Sequence, residues 1–314
     1  MRSLISPLQL NSTIKLIVAS FSRPVSLELM QAFQTYFAFH IFISALLFYL
    51  IKPGETYTAL GLAILLAASI ASASKRYCQF GLLVLLAYHF FWIIVGNFPW
   101  TANHYFLEGY ILLFLVLFPI RIVDKAKKLV DGTSCHLIQF TILYAYFFSA
   151  FHKIFQGFWL NGEFLGWSLF QDASLALFYS SQWILKALIS LLGLSADGIP
   201  FEFSPGMART AIAIPTWLTF TLIAVHCAII LVELSVPVLV VIYRNQKLGR
   251  YLLLAMTIGI GLPSLEFIFM FVALGCDFLF FPQRPQRNYT ALLLLHSLLP
   301  IALIGLQMLK ISPY

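Results

Sequence analysis

Ser149-Ala150-Phe151-His152-Lys153-Ile154-Phe155-Gln156-Gly157-Phe158-Trp159-Leu160-Asn161-Gly162-Glu163 is the run on which the reading of this chain turns. It closes an apolar segment, about 136–155, with a His–Lys pair, then passes into an aromatic, glycine-containing stretch. A lysine at the rim of a hydrocarbon-buried helix is costly unless it snorkels to the interface or has a task. The bland reading is an anchor. The polar and aromatic company of Lys153 favours a task.

Outward from that run, the chain is overwhelmingly apolar. Its 314 residues are 61% hydrophobic and only 10% charged, outside the range of a water-soluble domain or a disordered one. Several apolar stretches are long enough to cross a hydrocarbon layer of about 30 Å. The sequence therefore predicts an all-α, polytopic helical membrane protein with about eight transmembrane helices, near 29–51, 57–74, 78–96, 105–122, 136–155, 211–242, 250–281 and 289–308. A β-barrel would show many short alternating segments instead. Residues 1–28 read as an N-terminal interfacial segment. Residues 29–314 read as a single transmembrane domain with a long outer loop at 156–210. Within that loop 173–193 is helical in pattern, either dipping into the membrane or lying on it.

Charge sets the expected orientation. With a cytoplasmic N-terminus the inner side carries Arg23, Lys75, Arg76, Arg121, Lys125, Lys127, Lys128, Arg244, Lys247, Arg250 and Lys310. The outer loops carry only Lys52, Lys186, Arg209, Arg284 and Arg287, as the positive-inside rule expects. Both termini come out cytoplasmic, in what reads as a bacterial cytoplasmic (inner) membrane. The net charge of +7 is explained by these loops and calls for no nucleic-acid partner. The expected partner is the lipid bilayer.

That orientation sorts the polar residues. Asn103 is a candidate cap for the fourth span, and His104 and Glu108, four apart, share a helix face. His104, His152 and Lys153 fall on the outer side. His226 and Glu233 lie seven apart in the sixth span, on one side of the helix, with Glu233 toward the inner half. A buried carboxylate there must be protonated or partnered; a polar clasp between helices competes with a functional site. His40 and His89 read as packed, hydrogen-bonded groups. The four cysteines show no CxxC pair and no metal spacing, and HExxH is absent; no metal is predicted.

Three stretches resemble the HTTM superfamily, related to the membrane domain of the vitamin K-dependent gamma-glutamyl carboxylases. Asn103-His104-Tyr105-Phe106-Leu107 is similar to the family's Asn-His-x-Tyr-Leu element. Tyr146 through Gly162 is similar to its Tyr-Phe-x-Ala-Gly-x-x-Lys-Leu…Trp-Leu-x-Gly run, with Phe151 in the Gly place, Ile154 for Leu and Trp159 one residue late. Val225-His226 to Glu233-Leu234 matches a His followed seven residues on by an acidic-Leu pair. The length suggests a short bacterial-type member.

The resemblance implies an integral membrane enzyme that couples oxygenation of a reduced quinone, vitamin K or menaquinone, to proton abstraction from a second substrate such as an exported peptide. Lys153 falls at the position of the family's catalytic base. His104 would stabilise developing charge. His226, Glu233, His152, Glu108, Trp159 and Asn103 would support the site. The alternative is a non-enzymatic membrane factor for maturation, export or immunity of a secreted peptide.

Overall fold

The computed structural model describes residues 23–51, 58–91, 103–155, 216–242, 247–264 and 267–308. In chain order the elements are β1 (Val25–Ser26), α1 (Leu27–Ile51), α2 (Ala59–Ala73), α3 (Cys78–Tyr88), α4 (Asn103–Leu117), β2 (Ile122–Asp124), β3 (Leu129–Val130), α5 (Thr133–Phe155), α6 (Thr216–Ile242), α7 (Lys247–Ser264), α8 (Phe267–Asp277) and α9 (Pro285–Met308). The loop expected at 156–210, including 173–193, lies outside the described residues, as do residues 1–22.

The expectation of about eight spans does not hold. Among the described residues three helices are long and apolar enough to cross a membrane, Leu27–Leu47, Thr133–Phe155 and Ile223–Ile242. The reason is length. Helices α2 and α4 have 15 residues each, so they reach only about 22 Å of a roughly 30 Å layer. Helix α3 has 11 residues and runs into a π-helical turn at 89–91. The expected seventh span is described as two helices, α7 and α8, of 18 and 11 residues, with 265–266 outside the described residues. Apolar runs also report protein core as readily as lipid contact. Of the best apolar window of α1, 67% is buried inside the protein, against 33% for α6; the grease of α1 is largely core.

The chain divides into two compact units. Unit one comprises 1–143 and 271–300, and unit two comprises 144–270 and 301–314.

In unit one α1, α2 and α3 pack side by side. Thr58 caps α2, its Oγ1 accepting the Gly61 N–H at 3.1 Å. Ser69 of α2 donates to the Ala38 carbonyl of α1 at 2.7 Å. Gly81 of α3 meets the Ala68–Ser72 face of α2 at backbone distance, the small-residue contact that lets helices approach closely in lipid. The basic stretch 121–128 is a hairpin rather than a plain loop. It joins β2 to β3, and β1 adds on the other side in the antiparallel order β1-β3-β2, with Val25 opposite Val130. Thr133 then opens α5 by donating its N–H and hydroxyl to Asp131 Oδ1, at 3.0 and 2.7 Å.

Lys128 closes that hairpin with φ of 51°, a left-handed conformation that costs a side-chain-bearing residue about 1–2 kcal/mol. Lys128→Gly is expected to stabilise the protein by about 0.5 kcal/mol, the relief of strain less glycine's greater unfolded freedom. Thermal unfolding in one fixed detergent checks this.

In unit two α6 packs on α7. Helix α6 runs unbroken through Pro237. Tyr146 of α5 and Thr257 of α7 share a hydrogen bond at 2.6 Å between buried hydroxyls.

Candidate functional site

The last turns of α5 separate two faces. Tyr146, Ala150 and Lys153 recur at helical spacing and are all buried. Phe147, Phe151 and Phe155 occupy another stripe, with ring centroids 5.1 and 6.4 Å apart and Phe155 83% exposed. Two residues along a helix turn the side chain by about 200°, so this aromatic ladder points away from Lys153. His152 is on the exposed side.

Lys153 is buried and its ammonium forms an ion pair and hydrogen bond with Glu233 Oε1 of α6. Ser149, one turn earlier on α5, faces the same carboxyl. His226, two turns before Glu233 on α6, is fully buried within electrostatic range of the Lys153 ammonium. The second carboxylate oxygen, Glu233 Oε2, is buried and has no hydrogen-bond partner among the described residues. Buried acceptors in native proteins are almost always satisfied, so this oxygen is one that can still take a donor.

The pair also corrects the depth expected from the sequence. Lys153 was expected at the outer mouth of its helix and Glu233 in the inner half of the next. A direct ion pair places the two at one level.

Glu108 belongs to unit one and is equally buried, at 2% exposure. Its Oε1 lies 3.0 Å from His40 Nε2 and its Oε2 3.7 Å from His89 Nδ1. His89 Nε2 reaches the Tyr105 carbonyl at 2.7 Å. His40 Nδ1 stands 3.4 Å from His296 Nδ1. Asn103 and His104 stand in the first turn of α4, in unit one. Lys153, Glu233 and His226 belong to unit two. Trp159 lies outside the described residues.

Lys153, Glu233, His226 and Glu108 stand out in the sequence; that Lys153 and Glu233 are partners does not. Nor does His296, which belongs to no motif. The same holds for His136; this residue bridges the Gln139 side chain and the Arg23 carbonyl, at 3.0 and 3.1 Å, and is a structural clasp. Among the described residues no group of three His, Cys, Asp or Glu side chains is arranged to hold a metal ion. No family model, no curated protein and no solved structure matches the chain.

Proposed function

We propose that the chain is an integral membrane enzyme in which the Lys153–Glu233 pair takes a proton from a reduced, lipid-soluble quinone of the vitamin K or menaquinone type. The observation that carries this is a buried carboxylate oxygen with no hydrogen-bond partner among the described residues, on a carboxylate already charge-paired to a lysine. The resemblance around 146–162 and 225–234 points to the same two residues. A reduced quinone would supply an acidic hydroxyl and the electrons for dioxygen, whose product abstracts a proton from a second substrate, here an exported peptide.

The residues divide the work as follows. Glu233 Oε2 accepts the incoming proton. Lys153, still charged, shifts its hydrogen bond from the neutralised carboxyl to the anion left behind. Charge is conserved across the pair, so no net charge is created in a dry site where an isolated ion would be costly. His226 holds the interior polar and Ser149 keeps the carboxyl in register. The polar donor set fits a quinone hydroxyl. The aromatic ladder of α5 does not line that face, so a ring would be held by other groups. In this reading both termini are cytoplasmic and the membrane is a bacterial inner membrane.

Purified protein in lipid nanodiscs, given reduced menaquinone or vitamin K, is expected to take up oxygen above the uncatalysed background, and only aerobically. Lys153→Met alone and together with Glu233→Leu is expected to bring uptake down to background. Wild-type uptake no greater than the lipid blank would overturn the reading. So would full uptake in the double variant. A lysine variant that keeps the biological role of the chain would favour the non-enzymatic peptide factor.

A further inference from the structure

We propose that unit one holds a second proton-handling site, a relay running from His296 through His40 to Glu108 and ending at His89. It goes beyond the quinone reading, uses neither Lys153 nor Glu233, and does not depend on it.

The hydrogen-bond partners fix which nitrogens carry hydrogen. A carbonyl oxygen can only accept, so His89 Nε2, 2.7 Å from the Tyr105 carbonyl, carries a proton in every state. His89 Nδ1 is then the nitrogen left to accept, and it faces Glu108 Oε2 at 3.7 Å. On the other side His40 Nε2 stands 3.0 Å from Glu108 Oε1. With Glu108 ionised, His40 donates from Nε2 and its Nδ1 is bare. That bare atom faces His296 Nδ1 at 3.4 Å, so His296 donates from Nδ1. The remaining atom, His296 Nε2, is then a bare acceptor. It is buried with no hydrogen-bond partner among the described residues. The hydroxyl of Ser44, one turn beyond His40 on α1, is buried and likewise has no partner among the described residues. Two orphaned polar atoms in one apolar core mark room for a bound water or an incoming proton donor.

A proton delivered to His296 Nε2 makes that ring doubly protonated. It releases its Nδ1 proton to His40 Nδ1, and His40 passes its Nε2 proton to Glu108. One proton has entered at His296, one has arrived on the carboxyl, both rings have exchanged tautomers, and no electron has moved. From Glu108 the proton has His89 Nδ1 as its next acceptor.

The rings are clamped for this. His296 stacks on Phe271 at 4.3 Å and 15°. His40 lies against Phe37 and Tyr36 at 5.7 and 6.1 Å. Rings so packed do not flip, and their nitrogens stay aimed along the chain. The other titratable groups of this core are engaged elsewhere or off the line. Tyr36 donates to the Phe271 carbonyl at 2.6 Å and Tyr289 to the Gly275 carbonyl at 3.0 Å. Cys276 and Asp277 are buried on α8.

The test uses the full chain in nanodiscs, followed by time-resolved infrared spectroscopy after a pH drop. Glu108 is expected to show a protonated-carboxyl band, assigned by its loss in Glu108→Gln. In His296→Phe, which keeps the stacking ring, the final band is expected to persist. Its rate of appearance should fall by roughly a hundredfold, the scale on which a positioned proton-transfer group acts. A purely structural histidine would not slow the rate while sparing the endpoint. Should His296→Phe fail to fold, nitrogen-15 NMR of histidine-labelled wild type decides, with tautomer exchange at His40 and His296 expected on acidification. An unchanged rate in the variant, no Glu108 band at all, or fixed tautomers across the pH range would overturn the relay.

Discussion

Lys153→Met is expected to cost the folded protein about 3–5 kcal/mol, the range for breaking one side of a buried ion pair. The variant leaves the Glu233 carboxylate beneath only 2% exposure, with Ser149 as its remaining polar neighbour. Glu233→Leu is expected to cost less. It strands Lys153, but that residue stands in the last turn of α5 and its long stem lets the ammonium reach for a wetter environment. The double variant Lys153→Met, Glu233→Leu removes both charges and fills the space with apolar groups of similar volume. It is expected to recover most of the loss, because such replacements are often neutral or stabilising. Unfolding midpoints of the three variants in one detergent measure the coupling directly. Additive losses would mean that the two side chains do not act as a pair. The double variant also separates roles: stability returns, and the proposed quinol chemistry does not.

How much of this was visible in the sequence follows from what periodicity reports. Apolar content placed the helices well, since α1, α5 and α6 lie close to the runs expected at 29–51, 136–155 and 211–242. It overcounted the crossings because a 15-residue apolar helix such as α2 looks like a span until its ends are known. Spacing within one helix put His226 and Glu233 on one side of α6, since two turns return to the same face. Spacing says nothing about partners 80 residues away, which is why the Lys153–Glu233 pair had to be seen. The same limit hid His296, 256 residues from His40. The hairpin at 122–130 was hidden differently: its lysines read as charge and its strands are too short to show alternation.

Gly81→Ala is expected to be among the most damaging single substitutions in unit one, although it adds one methyl group. Helices in a close-packed interior leave no spare volume where small residues meet, so an added group must push them apart. A Cβ built on Gly81 would stand 2.5 Å from the Ala68 carbonyl oxygen, the Ser72 amide nitrogen and the Ser72 hydroxyl. Two of these are backbone atoms that cannot rotate aside, and Ser72 Oγ is held to the Ala68 carbonyl at 2.8 Å. Helices α2 and α3 must therefore part, and the loss is expected at about 3 kcal/mol, the upper part of the usual overpacking range. Gly259→Ala supplies the contrast within the same protein. A Cβ there meets nothing within 4 Å, and the site is inside α7, where alanine is favoured over glycine by about 1 kcal/mol. That substitution is expected to stabilise. Opposite signs for one chemical change, read as unfolding midpoints in the same detergent, would tie the α2–α3 contact to its backbone spacing. If Gly81→Ala proved as harmless as Gly259→Ala, the close approach of α2 and α3 would be the feature to abandon.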